Sequence, residues 1–175
     1  DNFFNIVTVG DVYPQKNYSF LADTLKHVAE KEPSVKLHII GTVYDEAAKN
    51  HFFSKVAEYG LQNRVHFHGR KPHSDTLAFI LHADVYITAS QVEALNIPLI
   101  EAQLLKTPIV ASDIPVHREI LGETENFVDT KNMSNAQLFA NKIMASKDTT
   151  PNQKNPLLSE FSWSKVAEKI INKFS

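Results

Sequence analysis

Two carboxylates and the start of a predicted helix coincide between residues 90 and 102, which makes this segment the first candidate for a site. Glu93 and Glu101 have seven residues between them. Pro98 is typical of the first turn of a helix and biases Ile97 away from helical geometry. The pattern therefore predicts Glu93 on a turn and Glu101 in the first helical turn, both facing a helix N-terminus that attracts anions.

The charges of this segment indicate which ligand it can bind. A free phosphate at the helix N-terminus would be repelled by the two carboxylates, so we expect these to accept hydrogen bonds from neutral hydroxyl groups beside the phosphate. This combination favours a sugar nucleotide. A second interpretation stays open, in which Glu101 merely complements the helix dipole.

Strands alternate with helices along the chain and must position this turn. Short apolar runs predict strands at 5–9, 35–40, 64–67, 84–89, 109–111 and 126–128. Helices are predicted between them, including 45–59, one capped by Ser74, one opened by Pro115, one started by Ser134 and a last one carrying Trp163 and Phe174 after a loop at 147–156. This order predicts an α/β fold, a doubly wound, Rossmann-like parallel sheet in a single domain spanning 1–175.

Composition excludes several classes of function. The 175 residues carry 18 basic and 20 acidic side chains, so the chain lacks the positive charge of a nucleic-acid-binding protein. It has no cysteine, which excludes disulfides and thiolate metal sites and is consistent with the cytoplasm. No apolar run is long enough to span a membrane. Because a strand is predicted within about five residues of Asp1, we expect the chain to be excised from a longer protein.

The loop after the first predicted strand contains one glycine, Gly10, and one lysine, Lys16. It is neither a Gly-x-Gly-x-x-Gly dinucleotide motif nor a P-loop. Taken alone, Lys16 is also typical of a solvated surface lysine. His66 and His68 share a face of the third predicted strand, but the absence of a third ligand at suitable spacing disfavours a metal site.

The Glu-x7-Glu segment, together with Pro108 to Glu119, resembles the signature of retaining nucleotide-sugar glycosyltransferases of the GT-B fold (glycosyltransferase family 4, glycosyl transferases group 1). Other landmarks of that family occur in the same order, namely Val9-Gly10 with Pro14 to Asn17, Leu37 to Gly41, Val65 to Gly69 and Phe161 to Trp163. The resemblance covers nearly the whole chain and is closest to the C-terminal, donor-binding domain.

The resemblance implies a role for each site residue. Glu101 would bind the ribose hydroxyls of the donor, and Glu93 would contact the donor sugar. Lys16, in the loop after Gly10, would bind the diphosphate and act with Glu93 in catalysis. Gly10 would also belong to the donor-binding site. The remaining contacts would come from the backbone: Leu95, Asn96 and Ile97 to the diphosphate, and Arg70 and Lys71 to the nucleobase.

One position departs from the family pattern. Family members carry an arginine directly after the glycine, where this chain has Asp11. A carboxylate beside the diphosphate would weaken donor binding unless Lys16, Arg70 or Lys71 compensates. The alternative is that Asp11 turns away and caps its own loop.

The resemblance also implies an activity. The full-length enzyme would transfer a sugar, with retained anomeric configuration, from a nucleotide-diphosphate donor to a glycan, lipid or small-molecule acceptor, as in glycan biosynthesis. It would need no cofactor or obligatory metal, and the sequence has no Asp-x-Asp motif for a diphosphate-bound cation. Its partners would be the nucleotide sugar and an N-terminal acceptor-binding domain of the same chain, with no nucleic acid.

On the same basis, the enzyme would be cytoplasmic and would reach the inner face of the membrane through that other half. Because the acceptor would bind to that other half, this fragment alone would be inactive. Two alternatives stay open. The domain could be a non-catalytic sugar-nucleotide-binding module, or the enzyme could be a sugar-nucleotide epimerase of related architecture.

Overall fold

A six-stranded parallel sheet forms the centre of the computed structural model, which describes residues 3–122, 124 and 126–147. The strands are β1 Phe4–Val9, β2 Val35–Ile40, β3 Val65–Phe67, β4 Val85–Thr88, β5 Ile109–Ser112 and β6 Phe127–Val128. Their order across the sheet is β3-β2-β1-β4-β5-β6, and every neighbouring pair is parallel. The predicted doubly wound, Rossmann-like α/β fold is therefore confirmed.

Helices cover both faces of this sheet. They are α1 Tyr18–Lys31, α2 Glu46–Glu58, α3 His73–Leu81, α4 Ile97–Leu104, α5 Pro115–Leu121 and α6 Ala136–Ser146. Helix α1 packs between α2 and α6 on one face, and α4 packs between α3 and α5 on the other. None of the described helices combines the length and apolar character that a membrane-spanning helix requires.

Alternation along the strands distributes the core between the two faces. Phe4 and Ile6 of β1 belong to the cluster beneath α1, where Phe20 and Phe139 pack edge to face with ring centroids 5.5 Å apart. Val7 belongs to the second cluster, on the face covered by α3, α4 and α5. Because both faces are buried, the central strands are almost continuously apolar, as parallel sheets require.

The structure corrects two predicted helix starts. Ser74 does not cap α3, because the helix begins at His73 and Pro72 occupies the N-cap position. Ser134 lies in a 3₁₀ turn, Met133–Asn135, and α6 begins only at Ala136. The predicted loop beyond residue 147 and the helix carrying Trp163 lie outside the described residues.

The carboxyl ends of β1 and β2 approach each other so closely that one position must be glycine. A Cβ atom added to Gly41 would lie 2.1 Å from the carbonyl oxygen of Gly10. The Gly10 amide in turn donates to the carbonyl of Ile40, at 2.9 Å. This contact brings the loops after β1 and β2 together at the edge of the sheet where parallel α/β proteins bind ligands.

Candidate functional site

The candidate site lies where the strand order reverses, between β1 and β4. The connection from β1 leads to helices on one face of the sheet and the connection from β4 leads to the other face, so a crevice opens between the two loops. The two loops are tied together, since the Gln91 amide donates to the Gln15 carbonyl at 2.8 Å. The sequence analysis assigned Lys16 to the first loop and Glu93 to the second.

Lys16 and Glu93 form an ion pair across this crevice. Lys16 Nζ lies 2.5 Å from Glu93 Oε1, and the side chains are only 22% and 11% exposed. The lysine is therefore not the solvated surface residue that its isolated sequence context allowed. Without a ligand, the partly buried ammonium neutralises the partly buried carboxylate.

The local backbone conformation places Lys16 at this position. A 3₁₀ turn, Pro14–Lys16, ends at Asn17, which adopts a left-handed conformation with φ of 54°. The Asn17 side-chain amide is buried and donates to the Thr130 carbonyl at 2.8 Å, which offsets the cost of that conformation. The Lys16 side chain then passes over Gly10, where an added Cβ would lie 3.3 Å from its Nζ. Gly10 thus contributes space beside the lysine, and Asn17 is a supporting residue that the sequence analysis missed.

Helix α4 presents its N-terminus beside Glu93, with Asn96 as its N-cap. The side-chain oxygen of Asn96 accepts a hydrogen bond from the Leu99 amide at 3.2 Å. Ile97 is the first helical residue, so the expectation that Pro98 would keep it out of the helix is wrong; Pro98 occupies the second position, where its missing N–H costs nothing. In the described part of the chain, the amides of Leu95, Asn96 and Ile97 donate to no other residue.

The earlier start of α4 also moves Glu101. It is the fifth residue of the helix rather than a member of the first turn, which holds no acidic residue. Since the dipole effect is largest within the first turn, its complementing role is weaker than the sequence suggested. The Glu101 carboxylate is 15% exposed and accepts a hydrogen bond from His73 Nε2 at 2.6 Å. No pattern in the sequence indicated that His73, at the start of α3, would be its partner.

The buried phenol of Tyr86 is influenced electrostatically by both carboxylates, Glu93 and Glu101. Tyr86, in β4, is fully buried. Burial raises the pKa of Tyr86, and its coupling to the Tyr18 phenol and to the Glu93 and Glu101 carboxylates raises it further. Glu93 and Glu101 thus both influence the same buried group, and their predicted convergence on one ligand stays a prediction.

Asp11 is held on the β2 side of its loop. Its carboxylate accepts a hydrogen bond from the Thr42 amide at 2.6 Å. The alternative in which Asp11 caps its own loop is wrong. Its carboxylate instead binds the neighbouring loop after β2, which lies within reach because Gly10 and Gly41 approach each other closely. Burial raises the pKa of Tyr18, and the Asp11 charge adds to this effect. The buried Tyr18 hydroxyl donates to the Gly10 carbonyl at 2.7 Å, which further fixes the loop.

Arg70 and Lys71 follow β3, and both are exposed. The Gly41 amide donates to the Gly69 carbonyl at 3.1 Å, so their segment begins at the same sheet edge as the other loops. Among the described residues, however, neither side chain contacts Lys16 or Glu93. Lys71 lines a cavity of about 450 Å³ between α3 and the sheet. Their nucleobase role, which rests on backbone groups, remains a prediction.

His66, in β3, and His68, directly after it, do lie on the same side of the sheet, where their rings stack with that of His38 in β2. His68 Nε2 lies 2.9 Å from His38 Nδ1, and His38 Nε2 lies 3.2 Å from Asn5 Oδ1. Because the Asn5 oxygen only accepts, His38 donates through Nε2 and accepts from His68 through Nδ1, which requires a neutral His38 ring. The described residues contain no group of three or more His, Asp or Glu side chains arranged to hold a metal ion.

The histidine cluster predicts acid sensitivity of folding. Burial, together with smaller contributions from His68, His66 and Lys36, lowers the pKa of His38 to about 4. Between pH 6.5 and 4 the unfolded chain therefore binds the extra proton, so the free energy of unfolding should fall as the pH falls. We expect a loss on the order of 1–2 kcal/mol after solvent screening. Urea denaturation at several pH values should show a shallower pH dependence for His38→Phe; an unchanged slope would contradict the assignment.

The fold and its polar crevice define a Rossmann-like α/β domain with a site at the topological switch point. A sequence profile of the family described as glycosyl transferases group 1 matches residues 1–155. The chain belongs to this family.

Individual relatives agree with the family assignment. The uncharacterized glycosyltransferase MJ1059 of Methanocaldococcus jannaschii is 32% identical over 127 residues, which are 72% of this chain and 30% of that protein. The phosphatidyl-myo-inositol mannosyltransferase of Mycobacterium leprae is 28% identical over 166 residues, 90% of this chain and 42% of that protein. The chain thus spans less than half the length of these relatives.

Solved structures show the same fold. HepE of Anabaena in complex with UDP-glucose superposes with a TM-score of 0.82 at 22% identity, over 99% of this chain and 49% of that chain. The pneumococcal O-GlcNAc transferase GtfA in complex with UDP and GlcNAc gives a TM-score of 0.79 at 16% identity, over 97% and 35% of the two chains. At these identities the likeness supports the GT-B-like Rossmann architecture.

Proposed function

We propose that this chain is the donor-binding half of a retaining glycosyltransferase and that it binds a nucleotide-diphosphate sugar in the crevice between β1 and β4. The observation that carries the proposal is the Lys16–Glu93 ion pair, which lies beside the N-terminus of α4. The Lys16 cation and the amides at the start of α4 can bind the diphosphate, and the Glu93 carboxylate can accept hydrogen bonds from sugar hydroxyls. This is the charge pattern that a nucleotide sugar requires.

Different residues would bind the diphosphate and the sugar of the donor. The diphosphate replaces Glu93 as the partner of Lys16 and accepts hydrogen bonds from the amides of Leu95, Asn96 and Ile97. Glu93 is then free to accept hydrogen bonds from the donor sugar. When the bond between the sugar carbon and the diphosphate oxygen breaks, its electron pair stays on that oxygen, while the acceptor hydroxyl forms the new bond to the same carbon and gives up its proton to the departing diphosphate. Lys16 and the α4 N-terminus stabilise this growing charge.

Glu101 would bind the ribose hydroxyls through the oxygen that His73 leaves available. A carboxylate has about four lone-pair sites, so one hydrogen bond from His73 does not exhaust its capacity. Donor binding would need no metal, because Lys16 and the amides at the start of α4 supply the positive potential that balances the diphosphate charge. An N-terminal domain of the full-length enzyme would bind the acceptor and supply the remaining catalytic groups. The full-length enzyme would be located in the cytoplasm, at the membrane face.

Ligand-induced stabilisation tests donor binding directly. UDP, GDP, ADP and dTDP, with their sugar conjugates, should be screened by thermal shift against the chain. At a hundredfold excess over its dissociation constant, the matching ligand should add about 2.7 kcal/mol of stability. EDTA should leave the shift unchanged. If none of these ligands shifts the melting temperature, donor binding by this domain is refuted.

The named relatives are transferases, which favours transfer over the epimerase alternative. Product analysis of a bound donor without acceptor separates the two chemistries, since an epimerase converts the donor sugar alone. Donor binding by the full-length protein without any turnover would instead favour the non-catalytic module.

A further inference from the structure

A buried polar network lies directly behind the N-terminus of α4 and includes a histidine that the sequence analysis did not assign. His117, near the start of α5, is 0% exposed. Its Nε2 lies 3.0 Å from Asn96 Nδ2, and its Nδ1 lies 3.0 Å from the Ser112 carbonyl oxygen. The hydroxyl of Ser112 donates in turn to the Ser90 carbonyl at 2.5 Å. The network therefore spans the ends of β4 and β5 and the start of α4.

The hydrogen-bond directions in this network are fixed by Asn96. Its side-chain oxygen accepts from the Leu99 amide, so its Nδ2 group must be the donor that faces His117 and the Thr88 hydroxyl. His117 Nε2 must then accept, and His117 Nδ1 carries the proton that it donates to Ser112. Burial lowers the pKa of His117, which favours the neutral ring that this arrangement requires.

We propose that His117 is a positioning residue: by accepting from Asn96, it holds the N-cap in the rotamer that fixes the start of α4 and thereby directs the amides of Leu95, Asn96 and Ile97 toward the donor diphosphate. Without this acceptor, the buried Asn96 amide would keep only its longer hydrogen bond to the Thr88 hydroxyl, at 3.3 Å, and would be free to turn toward another partner. Its oxygen would then leave the Leu99 amide, and the first turn of α4 would lose its cap. This inference rests on the proposed function, because it concerns the same diphosphate site.

Alanine-sized truncations would leave a cavity, so the test uses His117→Leu and His117→Gln. Leucine fills the space without an acceptor, whereas glutamine offers an oxygen to Asn96. Whichever of UDP, GDP, ADP and dTDP binds the parent chain most tightly serves as the probe in calorimetric titrations, at a temperature where every variant is folded. We expect His117→Leu to weaken affinity about five- to tenfold and His117→Gln to recover most of that loss.

Thr107→Val is the matched control. The buried Thr107 hydroxyl donates to the Ile80 carbonyl at 2.8 Å, before β5 and away from the crevice. This variant should lower the melting temperature without changing affinity. Equal affinities of the parent, His117→Leu and His117→Gln would show that His117 only stabilises the fold and would overturn the inference.

Two further outcomes remain decisive. If His117→Leu does not fold, Thr88→Val replaces it, since it removes the second acceptor of Asn96, at 3.3 Å, together with the 3.3 Å hydrogen bond between the Thr88 and Ser90 hydroxyls. An affinity unchanged in Thr88→Val would then overturn the inference, and a two- to threefold loss would support it. If the parent chain binds none of the four diphosphates, the proposed function fails and this inference fails with it. Binding by the parent with no effect of the variants refutes the positioning role alone.

Discussion

Replacing Lys16 with methionine is expected to weaken binding of the matching nucleoside diphosphate by a factor of at least about 30. The change removes the cation proposed to contact the diphosphate, and it leaves the Glu93 carboxylate, 11% exposed, without its partner at 2.5 Å. The two effects act in the same direction, because the uncompensated carboxylate also repels the phosphate charge. Removal of one member of a buried, hydrogen-bonded charge pair costs about 2–5 kcal/mol in a binding interface. Calorimetric titration of both proteins measures the difference.

Glu93→Gln provides the control, because it keeps the size of the side chain and removes its charge. It should bind the diphosphate as well as the parent or better, since Lys16 no longer has a competing partner. The double variant Lys16→Met/Glu93→Gln should recover part of the loss, and the double-mutant cycle isolates the pairwise term. A Lys16→Met protein that binds with parental affinity would remove Lys16 from the site.

Replacing Glu101 with glutamine is expected to weaken binding of the same diphosphate by ten- to a hundredfold. Loss of a hydrogen bond to a charged group costs about 1.5–3 kcal/mol. The dipole interpretation predicts a different result, namely a change in stability with no change in affinity. It has also become weaker, because Glu101 is the fifth residue of α4 and lies beyond the first turn.

The 2′-deoxy analogue of the diphosphate makes this test specific. It should bind less tightly than the ribonucleotide to the parent, and the difference should largely vanish in Glu101→Gln. His73→Gln is the matched control, since it removes the histidine ring at 2.6 Å and leaves the carboxylate in place. A deoxy penalty of equal size in the parent and in Glu101→Gln would exclude contact between Glu101 and the ribose.

Much of the fold could be predicted from the sequence because its signals are local. The β-branched runs at 35–40 and 84–89 and the glycines that follow two of the strands predict strands and their ends, and the order of elements predicts a parallel sheet. Helix starts were less accurate, as Ser74, Ser134 and Pro98 show. Several residues near each start can act as a cap, and tertiary contacts select among them.

The candidate site divides in the same way. The sequence by itself determined that Lys16 and Glu93 follow different strands and that a helix starts after Glu93, since spacing and residue type fix these features. Only the tertiary structure decided that Lys16 and Glu93 meet at 2.5 Å, that Asp11 binds the Thr42 amide, that His73 pairs with Glu101, and that His117 supports Asn96. These four contacts join residues 21–77 positions apart, and such pairs depend on the order in which strands assemble into the sheet, which no local pattern encodes.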